Sequence, residues 1–382
     1  MKQIVCLSTS PWYPIPTRKQ QVMQRIADAK VLYFDPPVTW LAPLRDAAAR
    51  VKLRQYKKQP VQAKENVLVF SLPPVLPFFN KFRWINRLNQ RKTARFVKKK
   101  MRENGFENPV LWTYSPSSCD AVSHIPHRAV VYDCVDRHSA YGGLMNPAVV
   151  DEMELCLAKQ ADRVFATATR LAERLQTVNE RTTCLPNGAN YARFSQAAQP
   201  QPTPPELSVL PGPIIGFVGA LQACIEYEFV RYAAENRPAW SFVFIGGEKP
   251  GVDLSALKRL KNVHFLGLKP NEQLPRYLSH FDVCLNLFDA SDLSKDVSPL
   301  KFYEYLATGK PIVSTPQPEQ VLAYRSLIEI ADSREAFVEA CERALSDQGQ
   351  ERKALRMAEG AKCSWDSRVA QMCRILQQDG IF

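Results

Sequence analysis

Short apolar runs, each followed by a turn and a helical segment, recur along the whole chain. Residues 4–8 and 31–34 are the first two such runs, and a helical pattern through Val22, Met23 and Ile26 lies between them. A strand, a loop, a helix and a second strand in this order are typical of a parallel α/β unit. In such a unit, ligands bind at the carboxyl ends of the strands. The sequence therefore predicts an α/β fold whose site lies in the loops that follow strands.

The runs fall into two groups, and each group is large enough to form a parallel sheet of its own. Between the groups lies a proline-rich segment without periodicity, which is typical of a linker. A chain of 382 residues is long enough for two domains of ordinary size. We expect a first domain over 1–195, a linker over 196–213, a second domain over 214–360, and a last helix over 361–382 that returns to the first domain.

Positive charge is concentrated in one part of the first half. The chain carries a net charge of +12, yet residues 45–102 alone carry +15. A helix is predicted over 80–104, with Phe78, Phe82 and Trp84 at its start. Aromatic anchors beside dense Lys and Arg are typical of a helix that rests on an anionic membrane surface. The alternative is a solvated face whose aromatic side chains pack inward. No nucleic-acid partner is expected, because no recognisable nucleic-acid-binding module accompanies the charge.

The cysteines and the hydropathy of the sequence indicate the cellular compartment of the protein. The ten cysteines are scattered, mostly inside apolar runs, and the five histidines do not cluster with them. We expect reduced core thiols rather than zinc ligands or a disulfide framework, and no metal site. No stretch approaches about 20 uninterrupted apolar residues, and the N-terminus is too short and strand-like for a signal peptide. These features predict a cytoplasmic protein, peripheral on the inner face of the plasma membrane.

The stretch from Asp296 to Thr315 gives the clearest indication of a binding site. An acidic run over 289–296, expected to be exposed, leads into Ser298-Pro299, which resembles a helix start with serine at the cap and proline in the first helical position. The helix is expected to end at Gly309, and a short buried strand follows it. A helix N-terminus that faces solvent beyond a strand is an anion site, because its first amides lack partners.

Three side chains around this helix start complement a nucleotide sugar. Lys301 adds a cation to the anion site, and Glu304 lies one turn further along the same face. Asp296 lies just before the helix. A phosphate site, a cation and two acidic groups that can hold sugar hydroxyls together predict a nucleotide-sugar pocket. The alternative is a solvated acidic loop before an ordinary helix.

These residues resemble the donor-site signature of GT-B glycosyltransferases of the large retaining nucleotide-sugar family, glycosyl transferases group 1. The family pattern is an acidic residue, seven intervening residues, Glu and then Gly-Lys-Pro, and Asp296 with Glu304 fits this spacing. The resemblance implies two Rossmann-like domains that face a cleft. Asp296 would contact the donor hexose, the amides near Ser298, Pro299 and Leu300 the diphosphate, and Glu304 the ribose.

Two further segments extend the resemblance. Residues 185–194 are similar to the family's hinge motif, Pro-Asn-Gly followed by Phe. Residues 214–267 resemble the start of its donor domain, which implies that Gly219 lies at the donor and that the backbone near Phe265 and Leu266 holds the base. A UDP-sugar is favoured over a GDP-sugar, as a substrate rather than a cofactor.

One departure from the family pattern concerns the diphosphate. Family members usually follow the glycine at position 219 with Arg and then Lys, whereas this chain has neither cation over 220–226. Lys301 is the obvious substitute. A lysine in that position is also similar to the xanthan-type glucuronosyltransferases, which invert configuration with an Asp base. We expect a retaining hexosyltransferase, and the inverting alternative stays open at this point.

The acceptor side is expected at the strand ends of the first domain. Trp12 and Arg18 follow the first strand, and the strand predicted over 129–136 ends in Asp133 and Asp136. Asp136 is the candidate for contact with the acceptor hydroxyl, or for the base if the chemistry inverts. The alternatives are a capping carboxylate for Asp136 and solvated helix-start charges for Arg18. We expect Asp136, Asp296 and Lys301 to be the catalytic residues.

Together these features predict a glycosyltransferase that moves a sugar to a lipid-linked or cell-envelope polysaccharide acceptor. A second hypothesis is a non-catalytic donor-binding or scaffold subunit of a polysaccharide assembly, because the usual diphosphate cations are missing. A third is a GT-B sugar-nucleotide epimerase, which ranks lower because no active-site His and Glu pair is evident.

Overall fold

The computed structural model describes residues 1–14, 16–44, 47–140, 143, 145–347 and 349–382. Contacts divide the chain into two compact units, one formed by Met1–Pro186 with Val369–Phe382 and the other by Asn187–Arg368. The division at Pro186 precedes the boundary that the sequence suggested at residue 195. Residues 196–213, expected as a linker, place Ala197 and Leu207 in the core of the second unit, because apolar side chains between the prolines find cover there.

The first unit is built on a sheet in which all neighbouring strands are parallel except β3 and β4. The strand order is β3-β4-β2-β1-β5-β6-β7-β8. Because the chain proceeds from β1 to one side and returns at β5 on the other, the switch point lies between β1 and β5. The strands are β1 (Lys2–Leu7), β2 (Ala29–Asp35), β3 (Val61–Lys64), β4 (Val67–Ser71), β5 (Val110–Thr113), β6 (Ala129–Cys134), β7 (Arg163–Ala166) and β8 (Thr182–Cys184).

Among the described residues, five α-helices precede Pro186 in the first unit. They are α1 (Arg18–Met23), α2 (Ala47–Gln55), α3 (Arg83–Glu103), α4 (Pro147–Gln160) and α5 (Thr169–Gln176). Helix α3 is the basic helix predicted over 80–104, and its inner face buries Ile85, Ala94, Val97 and Met101. The C-terminal residues of this unit are held by Asp379, which accepts two hydrogen bonds of 2.6 Å from Arg163.

The second unit contains a wholly parallel sheet with the order β11-β10-β9-β12-β13-β14. Its switch point lies between β9 and β12, because the chain moves outward from β9 through β10 and β11 and then returns at β12. The strands are β9 (Ile214–Val218), β10 (Ser241–Ile245), β11 (Val263–Phe265), β12 (Val283–Asn286), β13 (Ile312–Ser314) and β14 (Glu329–Ile330).

Helices cover both faces of this second sheet. They are α6 (Tyr191–Phe194), α7 (Pro205–Ser208), α8 (Tyr227–Asn236), α9 (Ser255–Lys258), α10 (Leu274–Leu278), α11 (Asp292–Lys295), α12 (Leu300–Thr308), α13 (Arg334–Ser346) and α14 (Gln350–Lys362). The last helix, α15 (Trp365–Gln378), begins in the second unit and from Val369 onward belongs to the first.

Strand β9 shows why its sequence is uniformly apolar. Ile215 and Phe217 belong to the core on one face of the sheet, and Ile214 and Val218 belong to the core on the other. Successive side chains of a strand point to opposite faces, so a strand covered by helices on both sides needs apolar residues throughout. The predicted C-terminal end of α12 is confirmed, because Gly309 ends the helix with a φ of 73°, and β13 is the short buried strand expected after it.

The ten cysteines form no disulfide among the described residues, and seven of them are buried. None of the helices in the part of the chain that the structure describes is both long and apolar enough to cross a bilayer.

Candidate functional site

Lys301 lies at the switch point of the second sheet. Its Nζ is 3.8 Å from the ring centroid of Phe217, on β9, and 4.9 Å from that of Phe288, just after β12. An ammonium group over an aromatic ring is attracted to it electrostatically. Burial lowers the pKa of Lys301 to about 7, although the neighbouring Cys224 and Glu304 oppose that shift. A half-buried cation therefore lies where a parallel α/β sheet binds its ligand.

Gly219 and Gly246 provide a close-packed backbone beside this lysine. A Cβ on Gly219 would lie 3.2 Å from Cε and 3.3 Å from Nζ of Lys301. A Cβ on Gly246, which has a φ of 156°, would lie 1.8 Å from the carbonyl oxygen of Gly219. Only glycine permits this approach at Gly246. Lys301 thus occupies the space next to Gly219, where the resemblance expects cations that this chain lacks over 220–226.

Glu304 lies one turn beyond Lys301 on α12. Burial raises the pKa of Glu304 to about 7, while Lys301 and Arg193 act in the opposite direction. A carboxyl group in this setting is half ionised near neutral pH and gains from any ligand that donates hydrogen bonds to it. The helix therefore presents a cation and a carboxylate on successive turns, as the sequence predicted.

The start of α12 differs by one residue from the expected cap. Pro299, in an extended conformation, is the N-cap, and the helix begins at Leu300. Ser298 is buried instead: its Oγ accepts a hydrogen bond of 3.0 Å from the Asn187 amide, and its carbonyl oxygen accepts one of 2.8 Å from Asn187 Nδ2. The Ser298 hydroxyl is held by the Pro-Asn-Gly motif and is not the N-cap, which corrects the expected capping role.

Asp296 does not lie in an exposed acidic run. It is only 5% exposed, and Ser294 in the same run is fully buried. Asp289, at the start of the run, accepts a 2.6 Å hydrogen bond from Ser294 Oγ. The run therefore folds around its own short helix, α11, because serine hydroxyls and neighbouring carboxylates satisfy one another. The expectation of a solvated loop was wrong for Asp296.

The predicted base-binding residues follow β11. Phe265 stacks on Phe244 of β10 with ring centroids 5.1 Å apart. The Leu266 amide donates a 2.9 Å hydrogen bond to the Phe244 carbonyl oxygen. A hydrogen bond from this residue to a base would consequently use the Leu266 carbonyl oxygen rather than its amide. Gly219, Phe265 and Leu266 all lie at the carboxyl edge of the second sheet.

The first unit has a pocket of about 460 Å³ at the carboxyl edge of its own sheet. Leu7 and Ser8 at the end of β1 and Ser115 after β5 place it at the switch point. Asp136, Lys19 and His138 also line it, and so, of the predicted acceptor-side residues, Asp136 has the expected location. We call this the acceptor pocket.

The ionisable side chains of the acceptor pocket are electrostatically connected. Burial lowers the pKa of Lys19, and the nearby Asp136 and Asp133 partly counteract it. Burial also lowers the pKa of His138, against the pull of Glu154 and Asp136. A histidine with a lowered pKa is neutral near pH 7 and can accept a proton. His138 lies two residues after Asp136 in the same loop, whereas Lys19 comes to this loop from α1, so local sequence gave little reason to group Lys19 with Asp136.

The other predicted acceptor-side residues are packed beneath this edge of the sheet. Arg18 and Asp133 form a buried ion pair at 3.0 Å, with side chains 1% and 0% exposed. Arg18 also donates to the carbonyl oxygens of Leu185 and Pro186. Trp12 is buried against Tyr33, with ring centroids 4.9 Å apart. Arg18 is thus not a solvated helix-start charge, because Asp133, 115 residues away, neutralises it.

The Arg18–Asp133 pair is expected to be essential for folding. Arg18→Met leaves a carboxylate buried without its partner, so we expect the free energy of unfolding to fall by about 3–5 kcal/mol. Urea denaturation followed by circular dichroism measures it, with the exposed Lys30→Met as control. The double variant Arg18→Met/Asp133→Asn should regain part of the loss. An Arg18→Met protein as stable as the wild type would show that the pair is dispensable.

Part of the second unit is similar to a known protein family. Residues 212–347 match the family described as glycosyl transferases group 1. This glycosyl transferases group 1 segment contains every predicted donor-side residue, from Gly219 through Phe265 and Leu266 to Asp296 and Glu304.

A relative from Bacillus subtilis (strain 168) shares 28% identity over 241 residues. It is TuaH, assigned provisionally as a glycosyltransferase of teichuronic acid biosynthesis. The match covers 58% of this chain and 60% of that protein, which is less than two thirds of its length.

Solved structures show that the glycosyl transferases group 1 segment is part of a GT-B fold. A sucrose-phosphate synthase from Thermosynechococcus elongatus has a TM-score of 0.71 at 17% identity, with 99% of each chain covered. The E. coli trehalose-6-phosphate structure with bound UDP-2-fluoro glucose has a TM-score of 0.70 at 14% identity, with 99% of each chain covered. Anabaena Alr3699/HepE in complex with UDP has a TM-score of 0.65 at 14% identity, with 99% of this chain and 100% of that chain covered. The predicted α/β fold of two parallel-sheet domains is confirmed.

Proposed function

We propose that this chain is a retaining glycosyltransferase that moves a sugar from a nucleotide-diphosphate sugar to a lipid-linked or cell-envelope polysaccharide acceptor. The observation that carries the proposal is the position of Lys301 beside Gly219 at the β9–β12 switch point, with Glu304 one turn further along α12. The family of residues 212–347 and the likeness to TuaH support it. We favour a UDP-sugar because two of the similar structures hold UDP or a UDP-sugar.

The donor chemistry follows from the charges. The bond between the sugar C1 and the diphosphate breaks, and the leaving diphosphate gains negative charge. Lys301 and the first amides of α12 stabilise that charge where it develops. Glu304 accepts hydrogen bonds from the ribose hydroxyls, Asp296 contacts the hexose, and the Leu266 carbonyl contacts the base. The proposal needs no metal ion, because Lys301 and the first amides of α12 can stabilise the charge of the diphosphate.

The acceptor chemistry is assigned to the acceptor pocket. The acceptor oxygen forms the new bond to C1 and loses its proton to the leaving diphosphate in the retaining reaction. Asp136 orients the acceptor hydroxyl in that case. In an inverting reaction Asp136, with the neutral His138 beside it, would take the proton instead. The anomeric configuration of the product, read by NMR, decides between the two reactions.

A membrane location is the third part of the proposal. On α3 the basic side chains Arg87, Arg91 and Arg95 are exposed. Trp84 is 60% exposed and Phe82 is 44% exposed, so these aromatic side chains do not pack inward. We propose that this face rests on the anionic inner surface of the membrane. Sedimentation with anionic and neutral liposomes at low and high salt tests it, and equal sedimentation with both would contradict it.

The experiment that tests the proposed function combines binding and turnover. Calorimetry with UDP- and GDP-sugars measures donor affinity, and release of the free nucleotide measures transfer or hydrolysis. We expect micromolar binding of a UDP-sugar and nucleotide release that acceptor accelerates. Binding without any release would favour the scaffold hypothesis, which the absence of cations over 220–226 motivates.

The pH dependence of donor binding is a specific prediction. In the free protein Lys301 has a pKa of about 7, and a bound diphosphate raises it, so binding takes up a proton above pH 7. Affinity should fall by up to about tenfold per pH unit between pH 7 and 9 as Lys301 loses its proton. Below pH 7 Lys301 stays charged, so any loss of affinity there comes from protonation of Glu304, whose pKa is also about 7. Calorimetry in buffers of different ionisation enthalpy measures the uptake. Lys301→Arg should remove this dependence, because arginine stays charged; a wild-type affinity independent of pH would contradict it.

A further inference from the structure

An apolar groove of about 350 Å³ adjoins the acceptor pocket in the first unit. It lies between the segment 39–44, which follows β2, and the segment 77–80, which precedes α3. The side chains that line it are largely apolar and partly open to solvent: Leu41 is 45% exposed, Leu44 79% and Phe78 39%. Exposed apolar surface concentrated in one groove indicates a binding function.

The groove and the acceptor pocket are neighbours that share part of their walls. Phe79 and Asn80 line both of them. The acceptor pocket is apolar near the strand ends at Pro36 and Val75, and it carries Lys19 among its polar residues. A ligand that extends through both spaces would therefore need an apolar chain at one end and a polar or anionic group at the other.

The walls of the groove are held in place before any ligand arrives. Val75 donates a hydrogen bond of 3.0 Å to the Val38 carbonyl oxygen, and Trp40 donates one of 3.1 Å to the Val75 carbonyl oxygen. Asn89, on α3, accepts from the Leu76 amide at 2.9 Å and donates to the Leu76 carbonyl oxygen at 3.0 Å. A pre-organised groove loses less entropy on binding than a flexible one.

Phe78 occupies its position at a conformational cost. Its φ is 62°, which is uncommon for a bulky residue. Its carbonyl oxygen accepts hydrogen bonds from the Lys81 and Phe82 amides and so begins the turn into α3. Glycine or asparagine would make the same turn with less strain. A strained aromatic residue that lines a groove is consistent with a role for its ring in binding.

Two lysines lie close to the residues that line the groove. Lys92 Nζ lies 5.5 Å from the Trp40 ring and donates a 2.7 Å hydrogen bond to the Pro74 carbonyl oxygen. Lys81, which directly follows the lining residue Asn80, is exposed. Cations at the rim favour a ligand with an anionic head over a neutral lipid.

Building on the proposed function, we propose that this groove holds the hydrocarbon chain of the acceptor, a single-chain lipid whose phosphate or diphosphate carries the glycan. The acceptor pocket then takes the head, with Lys19 near its phosphate, and the groove takes the first part of the chain. The occupant is one lipid molecule and not the membrane surface as such, because the groove shares the wall at Phe79 and Asn80 with the pocket that contains Asp136.

Farnesyl diphosphate, isopentenyl diphosphate and inorganic diphosphate serve as probes, because they share the anionic head and differ in chain length. Binding to the full chain is followed by tryptophan fluorescence. We expect farnesyl diphosphate to bind at least tenfold more tightly than isopentenyl diphosphate, since each buried methylene adds to the affinity. Equal affinity for the two prenyl probes would overturn the proposal.

Three variants test whether the hydrocarbon chain of the ligand lies in the groove. Leu44→Glu places a charge in the groove, and Phe78→Asn removes the ring but suits a positive φ. Both should reduce the tenfold preference to threefold or less, while Phe78→Asn also raises the melting temperature. Val209→Glu, at a second-unit side chain that is 78% exposed, is the matched control and should retain the preference. If Leu44→Glu and Phe78→Asn both kept the tenfold preference for farnesyl diphosphate, the hydrocarbon chain would bind elsewhere and the proposal would be wrong.

Two controls separate this proposal from others. UDP-sugar binding and hydrolysis should be unchanged in Leu44→Glu, so a failure of the donor-site assignment shows in those assays and not in the prenyl preference. If Leu44→Glu lowered binding to anionic vesicles and left the farnesyl diphosphate affinity unchanged, the groove would be a membrane contact, and the lipid-chain assignment would be rejected.

Discussion

Lys301→Ala is expected to lower kcat for sugar transfer by roughly 10²- to 10³-fold, with a smaller change in donor affinity. The reason is that Lys301 faces the place where negative charge develops as the diphosphate leaves, and one such donor usually accounts for this much of the rate. Lys301 is the cation closest to Gly219, whereas the chain offers no lysine or arginine over 220–226. Steady-state kinetics of nucleotide release measure the effect.

The control for this prediction is Lys295→Ala. Lys295 is in the same region but pairs at 3.2 Å with Asp292, whose side chain is 78% exposed. Surface pairs of this kind contribute little, so its kcat should stay within about twofold of the wild type. Lys301→Arg should retain more activity than Lys301→Ala. If Lys301→Ala turned over as fast as Lys295→Ala, the leaving group would be stabilised by other residues.

Glu304→Ala is expected to weaken donor binding by about 10- to 100-fold. Hydrogen bonds to a charged group contribute about 1.5–3 kcal/mol each, and this carboxylate is placed to accept from the ribose. Calorimetry with a UDP-sugar and with its 2′,3′-dideoxy analogue isolates that contact. Glu304→Ala should lose affinity for the first ligand and very little for the second, because the second has no ribose hydroxyls to donate.

Glu339→Ala is the matched control for this second prediction, since Glu339 is a carboxylate on an outer helix with a side chain that is 71% exposed. It should bind both ligands like the wild type. A Glu304→Ala protein that lost affinity equally for the ribose and dideoxy ligands would indicate that Glu304 acts on the fold of α12 and not on the ribose.

Local patterns in the sequence predicted the parts of the site that local chemistry determines. Gly309 followed by a proline two residues later is a helix end in any context, and the structure has the left-handed glycine there. The apolar strands and their parallel order follow from alternation with helices. The spacing of Lys301 and Glu304 places them on one face of α12 regardless of what surrounds the helix.

Other features of the site could not be predicted, because they depend on residues that are distant in sequence. Arg18 has a charge that suggested solvent or substrate, yet Asp133 neutralises it inside the first unit. Ser298 was expected to cap α12, but Asn187, 111 residues earlier, engages it. Lys19, on α1, joins Asp136 in the acceptor pocket only through the packing of separate elements.

The positively charged segment, residues 45–102, shows a third reason why the sequence alone could not predict the structure. Composition identified its charge and its aromatic residues, but it could not decide whether the rings point inward. The structure buries Ile85 and exposes Trp84, so neighbouring residues on one helix have opposite environments. The groove beside this segment depends on hydrogen bonds between loops more than 30 residues apart, such as that of Trp40 with Val75.

A crystal structure of the chain with a bound UDP-sugar tests the central claim most directly. The account predicts diphosphate oxygens within about 3.2 Å of Lys301 Nζ and of the first amides of α12, with the ribose hydroxyls on Glu304. A diphosphate bound at another edge of the second sheet, with Lys301 still packed between Phe217 and Phe288, would contradict it.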